Sequence, residues 1–217
     1  MPPLAAPVRA LLFDFDGVLA DTEPLHWRAW REVLKPYGIE LDWETFRKIC
    51  VGLSDSEMLN KLCGLATKPV TSDELRAHYP QKREIFRALA DGQPLIDAGV
   101  MDLIKSIRSL RLGVVTSSNK FEVEPILIQG NLLDHLAIVI YGNDVRHYKP
   151  HPEPYLLALQ RLGIPARETI VFEDSAAGLR SAREARCRVV QVPNVARLPA
   201  LLRAKLSEIF PRNCNSY

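Results

Sequence analysis

Between residues 112 and 192 the chain repeats one pattern: a short run rich in Val, Ile, Leu and Phe, a turn, then a segment with helical periodicity. The runs are Leu112–Thr116, Ala137–Tyr141, Thr169–Phe172 and Arg188–Val192, and the helical segments are Lys120–Gln129, Pro152–Leu162 and Ala176–Ala185. Short buried strands that alternate with helices join through right-handed crossovers into a parallel sheet covered on both faces. Ala10–Phe15 is a fifth run of the same kind. The expected fold is therefore α/β, a Rossmann-like parallel sheet core with helices on both faces.

The interval from Gly17 to about Arg111 breaks the alternation, since it contains no convincing strand. It reads as helices over Pro24–Lys35, Trp43–Ile49, Asp55–Leu62 and Ser72–Leu89, halted by Asp91-Gly92-Gln93-Pro94. A crossover of that length far exceeds what one strand–helix–strand unit requires. The expectation is an inserted all-helical domain over residues 20–90, with the core formed by 1–19 and 91–217. A helix Ala98–Leu110 leads back into that core, and the tail Leu198–Phe210 reads as helical. Trp27, Trp30, Trp43 and Phe46 fall at helical spacings and are read as the insert's own apolar core.

Composition narrows the partners. Twenty-eight basic and 26 acidic residues leave a net charge of +2, which makes no electrostatic case for nucleic acid or an anionic membrane. No apolar run approaches the ~20 residues that span a bilayer, and the first seven residues lack the basic start and long apolar stretch of a signal peptide. A cytoplasmic protein is expected. Cys50, Cys63, Cys187 and Cys214 form no CxxC pair, so they read as reduced thiols rather than a zinc site or disulfide frame.

In an open parallel sheet, ligands bind beyond the carboxyl ends of the strands, so those ends carry the functional information. The first strand stops in Asp14-Phe15-Asp16-Gly17, two carboxylates one residue apart that repel each other unless a cation, a proton or hydrogen bonds compensate. The second ends in Thr116-Ser117-Ser118-Asn119, whose hydroxyls and backbone amides at a helix start suit an anion. Lys149-Pro150 follows the third, and Glu173-Asp174-Ser175 the fourth. Any one of these ends could merely cap a helix, but four converge on one crevice. Carboxylates from two strand ends suit Mg²⁺, which prefers oxygen ligands, and a lysine beside hydroxyls and free amides suits phosphoryl oxygens. Together they describe phosphoryl transfer.

Four segments, Asp14–Glu23, Thr116, Lys149–Tyr155 and Phe172–Leu179, resemble in order the four motifs of the haloacid dehalogenase-like hydrolases. The insert's position, straight after the first motif, is similar to the helical cap of the subgroup that contains phosphoglycolate phosphatase and β-phosphoglucomutase. The resemblance implies that Asp14 is a nucleophile forming an aspartyl-phosphate and that Asp16 is the acid, then the base. It implies Mg²⁺ held by Asp14, the Asp16 main-chain carbonyl and Asp174, with Glu173 in support. Phosphoryl oxygens would fall to Thr116, Ser117 and Lys149. Asp16 speaks against dehalogenation and phosphonate hydrolysis, whose enzymes by resemblance lack a second carboxylate there. Crowded negative surroundings are expected to keep Asp16 protonated, ready to donate.

The remaining choice is between releasing the phosphate to water and returning it to a sugar. Asp21–His26 resembles the first motif of the mutases, including a histidine, His26, that could gate Asp16. In the next loop, however, the mutases' Gly-x-Ser-Arg is replaced by Gly52-Leu53-Ser54-Asp55, and an aspartate would repel a second phosphate. Lys48 or Arg47 could substitute. The preferred reading is a Mg²⁺-dependent phosphatase for a small phosphomonoester, a sugar phosphate or related metabolite. The alternatives are a β-phosphoglucomutase-type mutase and a catalytically silent phospholigand-binding protein. By resemblance the chain is a monomer whose insert closes over the crevice, hinged near Val18–Thr22 and Asp91–Pro94.

Overall fold

The structure, a computed structural model, describes residues 6–51 and 55–211. Five strands, β1 (Ala10–Phe13), β2 (Arg111–Val115), β3 (Ile138–Ile140), β4 (Thr169–Glu173) and β5 (Arg188–Gln191), form one sheet in the order β3-β2-β1-β4-β5. Every pairing is parallel. β1 lies between β2 and β4, so connections lead to both sides of it, and in open parallel sheets such a reversal leaves a crevice at the carboxyl ends of the strands where ligands bind.

Side-chain alternation along β1 assigns each residue to a face. Leu11 and Phe13 are wholly buried in one apolar cluster with Val114, Phe172, Val123, Ile104 and Leu202. Phe13 stacks on Phe172 with ring centroids 5.1 Å apart. Leu12 points the other way, into a cluster with Val115, Val171, Tyr155 and Ala182. Helices therefore cover both faces, as the alternating sequence requires.

Ten α-helices complete the described residues. The first five lie between β1 and β2: α1 (Glu23–Leu34), α2 (Trp43–Ile49), α3 (Asp55–Cys63), α4 (Ser72–Ala77) and α5 (Tyr79–Ala90). They enclose an apolar cluster of their own, with Trp30, Val33, Phe46, Leu59, Leu62 and Leu75 buried and Trp27 and Trp43 packed against it. Trp27 meets Trp43 edge-on at 5.5 Å, so the aromatic residues form the insert's interior as expected. The remaining helices are α6 (Ala98–Ser106), α7 (Lys120–Gln129), α8 (Glu153–Leu162), α9 (Ala176–Glu184) and α10 (Leu198–Ile209).

Two expected helices are shorter. The single helix expected over Ser72–Leu89 is divided at His78, which ends α4 and precedes α5. Pro80 is the reason: it has no amide hydrogen to give and its ring clashes with the preceding turn, so it is tolerated only in the first turn of a new helix. The helix expected to reach Leu110 stops at Ser106, with Ile107 already extended (ψ 109°).

Candidate active site

The expected first strand over Ala10–Phe15 ends as a ladder at Phe13, although the Asp14 amide still donates to the Phe172 carbonyl at 2.9 Å. The chain then turns at Gly17, whose φ is +77°, a left-handed value that side chains resist. A Cβ on Gly17 would collide with the carboxylate of Asp174, so this glycine also permits the first turn to lie directly against the end of β4. The result brings Asp14, Glu173 and Asp174 together, with carboxylate oxygens within 4.8 Å of one another.

Lys149 holds two of these carboxylates. Its Nζ donates to Asp14 Oδ1 at 2.7 Å, to Glu173 Oε1 at 2.6 Å and to the Val115 carbonyl at 2.8 Å. Lys149 is buried, yet its pKa lies above the ordinary lysine value: burial works against the charge, and Asp14 and Glu173 outweigh it. Glu173 is wholly buried, with Oε1 also accepting from Tyr155 Oη at 3.0 Å and Oε2 from the Ser175 amide and hydroxyl at 3.1 and 3.2 Å. Asp14 is pushed well above the carboxylate range, chiefly by burial, with Lys149 pulling it back and Glu173, Asp174 and Asp16 adding to the rise.

Asp174 supplies the test for a cation. Its Oδ1 is buried and has no hydrogen-bond partner, and burial beside Glu173 and Glu23 raises its pKa to about 7. An orphaned acceptor among like charges is costly unless a positive charge completes it. The donor set is oxygen only, which fits Mg²⁺ rather than a thiolate- or imidazole-seeking metal.

Asp16 lies under different control. Its Oδ1 accepts from Thr22 Oγ1 at 2.5 Å and lies 3.3 Å from His26 Nε2; its Oδ2 accepts from Ser118 Oγ at 2.6 Å and Thr116 Oγ1 at 3.3 Å. Burial alone would raise its pKa, but hydrogen bonds from His26, Ser118 and Thr22 prevail and hold it below the usual range. This corrects the expectation that crowding keeps Asp16 protonated: the donors around it are hydroxyls and an imidazole, and they favour the carboxylate.

The His26 contact is set from behind. Lys82 of α5 places Nζ 2.6 Å from His26 Nδ1 and donates to Glu122 Oε1 of α7 at 2.8 Å. A lysine ammonium can only donate, so Nδ1 accepts and the ring hydrogen sits on Nε2, facing Asp16. Lys82 and Glu122 are both buried, and the pair joins the helical insert to the core. Glu122 is held below its ordinary value: burial would raise it, and Lys82 with its hydrogen bond outweighs that.

Of the residues singled out in the sequence, Asp14, Asp16, Thr116, Lys149, Glu173, Asp174 and His26 thus meet at one crevice. Ser117 is exposed, and its neighbour Ser118 is the one whose hydroxyl reaches Asp16. Gly52 and Ser54 lie outside the described residues, as does the side chain of Asp55; Arg47 and Lys48 are exposed. Lys82, Glu122 and Tyr155 escaped the sequence reading; Tyr155 alone had a local signal, six residues after Lys149. Cys50, Cys63 and Cys187 are free thiols, and burial pushes Cys50 and Cys187 up to about 12, away from the thiolate form. Cys214 lies outside the described residues. No described helix is long and apolar enough to cross a membrane.

A parallel sheet with an acidic cluster, a buried lysine and a hydroxyl-bearing turn at its carboxyl edge defines a phosphoryl-transfer class of enzyme. Comparison with known proteins makes the class specific: the haloacid dehalogenase-like hydrolase pattern matches residues 11–192, and the chain belongs to that family. It is similar to the "Phosphorylated carbohydrates phosphatase" of Thermotoga maritima, 32% identical over 82% of each chain. It is also similar to the fructose-1-phosphate phosphatase YqaB of Escherichia coli, 32% identical over 84% of this chain and 95% of that one. Among solved structures, CbbY from Rhodobacter sphaeroides in complex with xylulose-(1,5)bisphosphate superposes with a TM-score of 0.75, at 28% identity over 86% of this chain and 87% of that one. The chain is an enzyme of the family's phosphatase type.

Proposed function

We propose that the protein hydrolyses a small phosphorylated carbohydrate through an aspartyl-phosphate on Asp14. The observation that carries this reading is Lys149, buried and bonded at once to Asp14 at 2.7 Å and Glu173 at 2.6 Å beside the unpartnered oxygen of Asp174. Such a cluster is assembled before substrate arrives, which is how an enzyme stabilises charge without reorganising during the reaction. The substrate class is supported by the relatives named as phosphatases of phosphorylated carbohydrates and of fructose 1-phosphate.

In the first step an Asp14 oxygen attacks phosphorus, the bond to the leaving oxygen breaks, and that oxygen takes a proton from Asp16. In the second, water attacks the same phosphorus, gives a proton to Asp16, and phosphate leaves with the Asp14 carboxylate restored. Asp14, Asp174 and the Asp16 main-chain carbonyl would hold Mg²⁺, with Glu173 as a supporting charge, and the bound cation supplies the neutralisation that lets one anion approach another. Lys149 and Thr116 bind phosphoryl oxygens. When the Ser118 hydroxyl turns from Asp16 to the phosphoryl group, Asp16 loses one of the hydrogen bonds that keep it ionised, so substrate binding itself moves it toward the protonated state the first step needs.

Residues 20–90 act in this reading as a cap, with the Lys82–Glu122 and His26–Asp16 contacts made only when it rests on the core. Hydrolysis is preferred to a mutase because two relatives at 32% identity are named as phosphatases of sugar phosphates. The test is a panel of sugar phosphates with Mg²⁺, following phosphate release and sugar-phosphate isomers together. Release should dominate; interconversion of hexose 1- and 6-phosphates faster than release would overturn the reading.

A further inference from the structure

The loop that carries Lys149 holds a second group of donor atoms that phosphoryl transfer leaves unused. His147, His151 and Glu153 bring ring nitrogens and a carboxylate oxygen within 4.8 Å of one another. Glu153 Oε2 is the common point: His147 Nδ1 lies 2.6 Å from it and His151 Nδ1 4.0 Å. The two imidazole rings lie side by side, centroids 4.6 Å apart.

Backbone bonds preset this arrangement. Glu153 accepts the amides of Arg146 and His147 at 2.9 and 3.2 Å, while His151 Nδ1 accepts the Glu153 amide at 3.2 Å. Closing the loop in this way accounts for the carboxylate. The rings take part as well, His147 Nδ1 facing the Glu153 carboxylate and His151 Nδ1 accepting the Glu153 amide, and both stay exposed, so three donor groups converge at one accessible point.

We propose that His147, His151 and Glu153 form a surface site for a divalent cation of the zinc class, with solvent free to complete the shell. Two imidazoles and one carboxylate are ligands that such borderline cations take readily. Mg²⁺ prefers oxygen alone, so ligand chemistry separates this site from the strand-end cluster of Asp14, Glu173 and Asp174. His147 and His151 stand two residues to either side of Lys149, and a bound ion would tie the two arms of its loop together.

The experiment is equilibrium Zn²⁺ binding to the full chain in excess Mg²⁺, with Co²⁺ as the spectroscopic probe. One Zn²⁺ should bind per chain, and Co²⁺ should broaden the ring-proton resonances of His147 and His151. Loss of groups that only orient metal ligands costs about 10–100-fold in affinity; His147→Ala and His151→Ala, each removing a ligand, should weaken Zn²⁺ by at least that order. Thermal unfolding verifies that each variant is folded. Zn²⁺ held equally well by both folded variants, or Co²⁺ broadening that spares both rings, would overturn the site.

Discussion

Two buried lysines divide the site between them. Lys149 is surrounded by the core alone, bonded to Asp14, Glu173 and the Val115 carbonyl at the strand ends. Lys82 stands on the insert and bonds across to Glu122 of the core while supporting His26. The first ammonium is caged by core residues alone, whatever the insert does. The second would regain water if the insert lifted, because one of its partners, Glu122, belongs to the core and the other, His26, to the insert. The Asp14 half of the site is thus fixed by the fold, and the Asp16 half is completed by the insert.

That contrast can be broken by substitution, and the largest effects belong to the fixed half. Asp14→Asn removes the carboxylate proposed to attack, and loss of a nucleophile elsewhere costs about six orders of magnitude. Here kcat should fall at least about 10⁴-fold in steady-state assays; a loss under tenfold would remove Asp14 from the reaction. Lys149→Met leaves Asp14 and Glu173 buried without their cation, a change worth about 3–5 kcal/mol of stability. It should also lower kcat/KM by about 10²–10³, as loss of one charge-stabilising donor does.

Lys82→Met should cost clearly less stability by denaturant unfolding, because the insert can open and rehydrate Glu122. Its effect on hydrolysis should be about tenfold to a hundredfold, within the range that proton transfer contributes. Equal destabilisation by the two lysine variants would show that the insert is as immovable as the core.

The smallest effect is a pH dependence. Glu122 has a folded pKa below its ordinary value of 4.5, so its contribution to stability is complete well above the ordinary value and is lost as pH falls toward and through the lower, folded one. The stability difference between wild type and Glu122→Gln should therefore be constant above about pH 6 and shrink below about pH 4. A difference that grows on acidification would reverse the sign and contradict the pairing with Lys82.

The fixed half was legible in the sequence, and the reason is local. Asp14, Thr116 and Asp174 stand at the ends of apolar runs, so strand geometry delivers them to one edge of the sheet, and Lys149 was marked by the Lys-Pro pair in the loop after the third strand. The completed half was less legible. His26 could be singled out from its place after the first turn, but Lys82 and Glu122 lie 40 residues apart on different helices, and neither helix's periodicity shows that they meet. The charge state of Asp16 was misjudged for a similar reason. His26, Thr22 and Ser118 hold it down: the first two lie 10 and 6 residues along the chain, but only the fold turns their side chains onto the carboxylate, and Ser118 comes from 102 residues away. The break at His78 was within reach, since Pro80 marks it.

The account rests on Asp14 carrying the phosphoryl group, and one trapping experiment addresses that directly. In Asp16→Asn, an aryl phosphate whose leaving group needs no proton should still phosphorylate the enzyme, while the water step lacks its base. Acid quenching after a single turnover, followed by mass spectrometry of the peptide that spans β1, should find one phosphoryl group on Asp14. Aryl alcohol released at a steady rate with no phosphoryl group on the protein, or with that group on another residue, would contradict it.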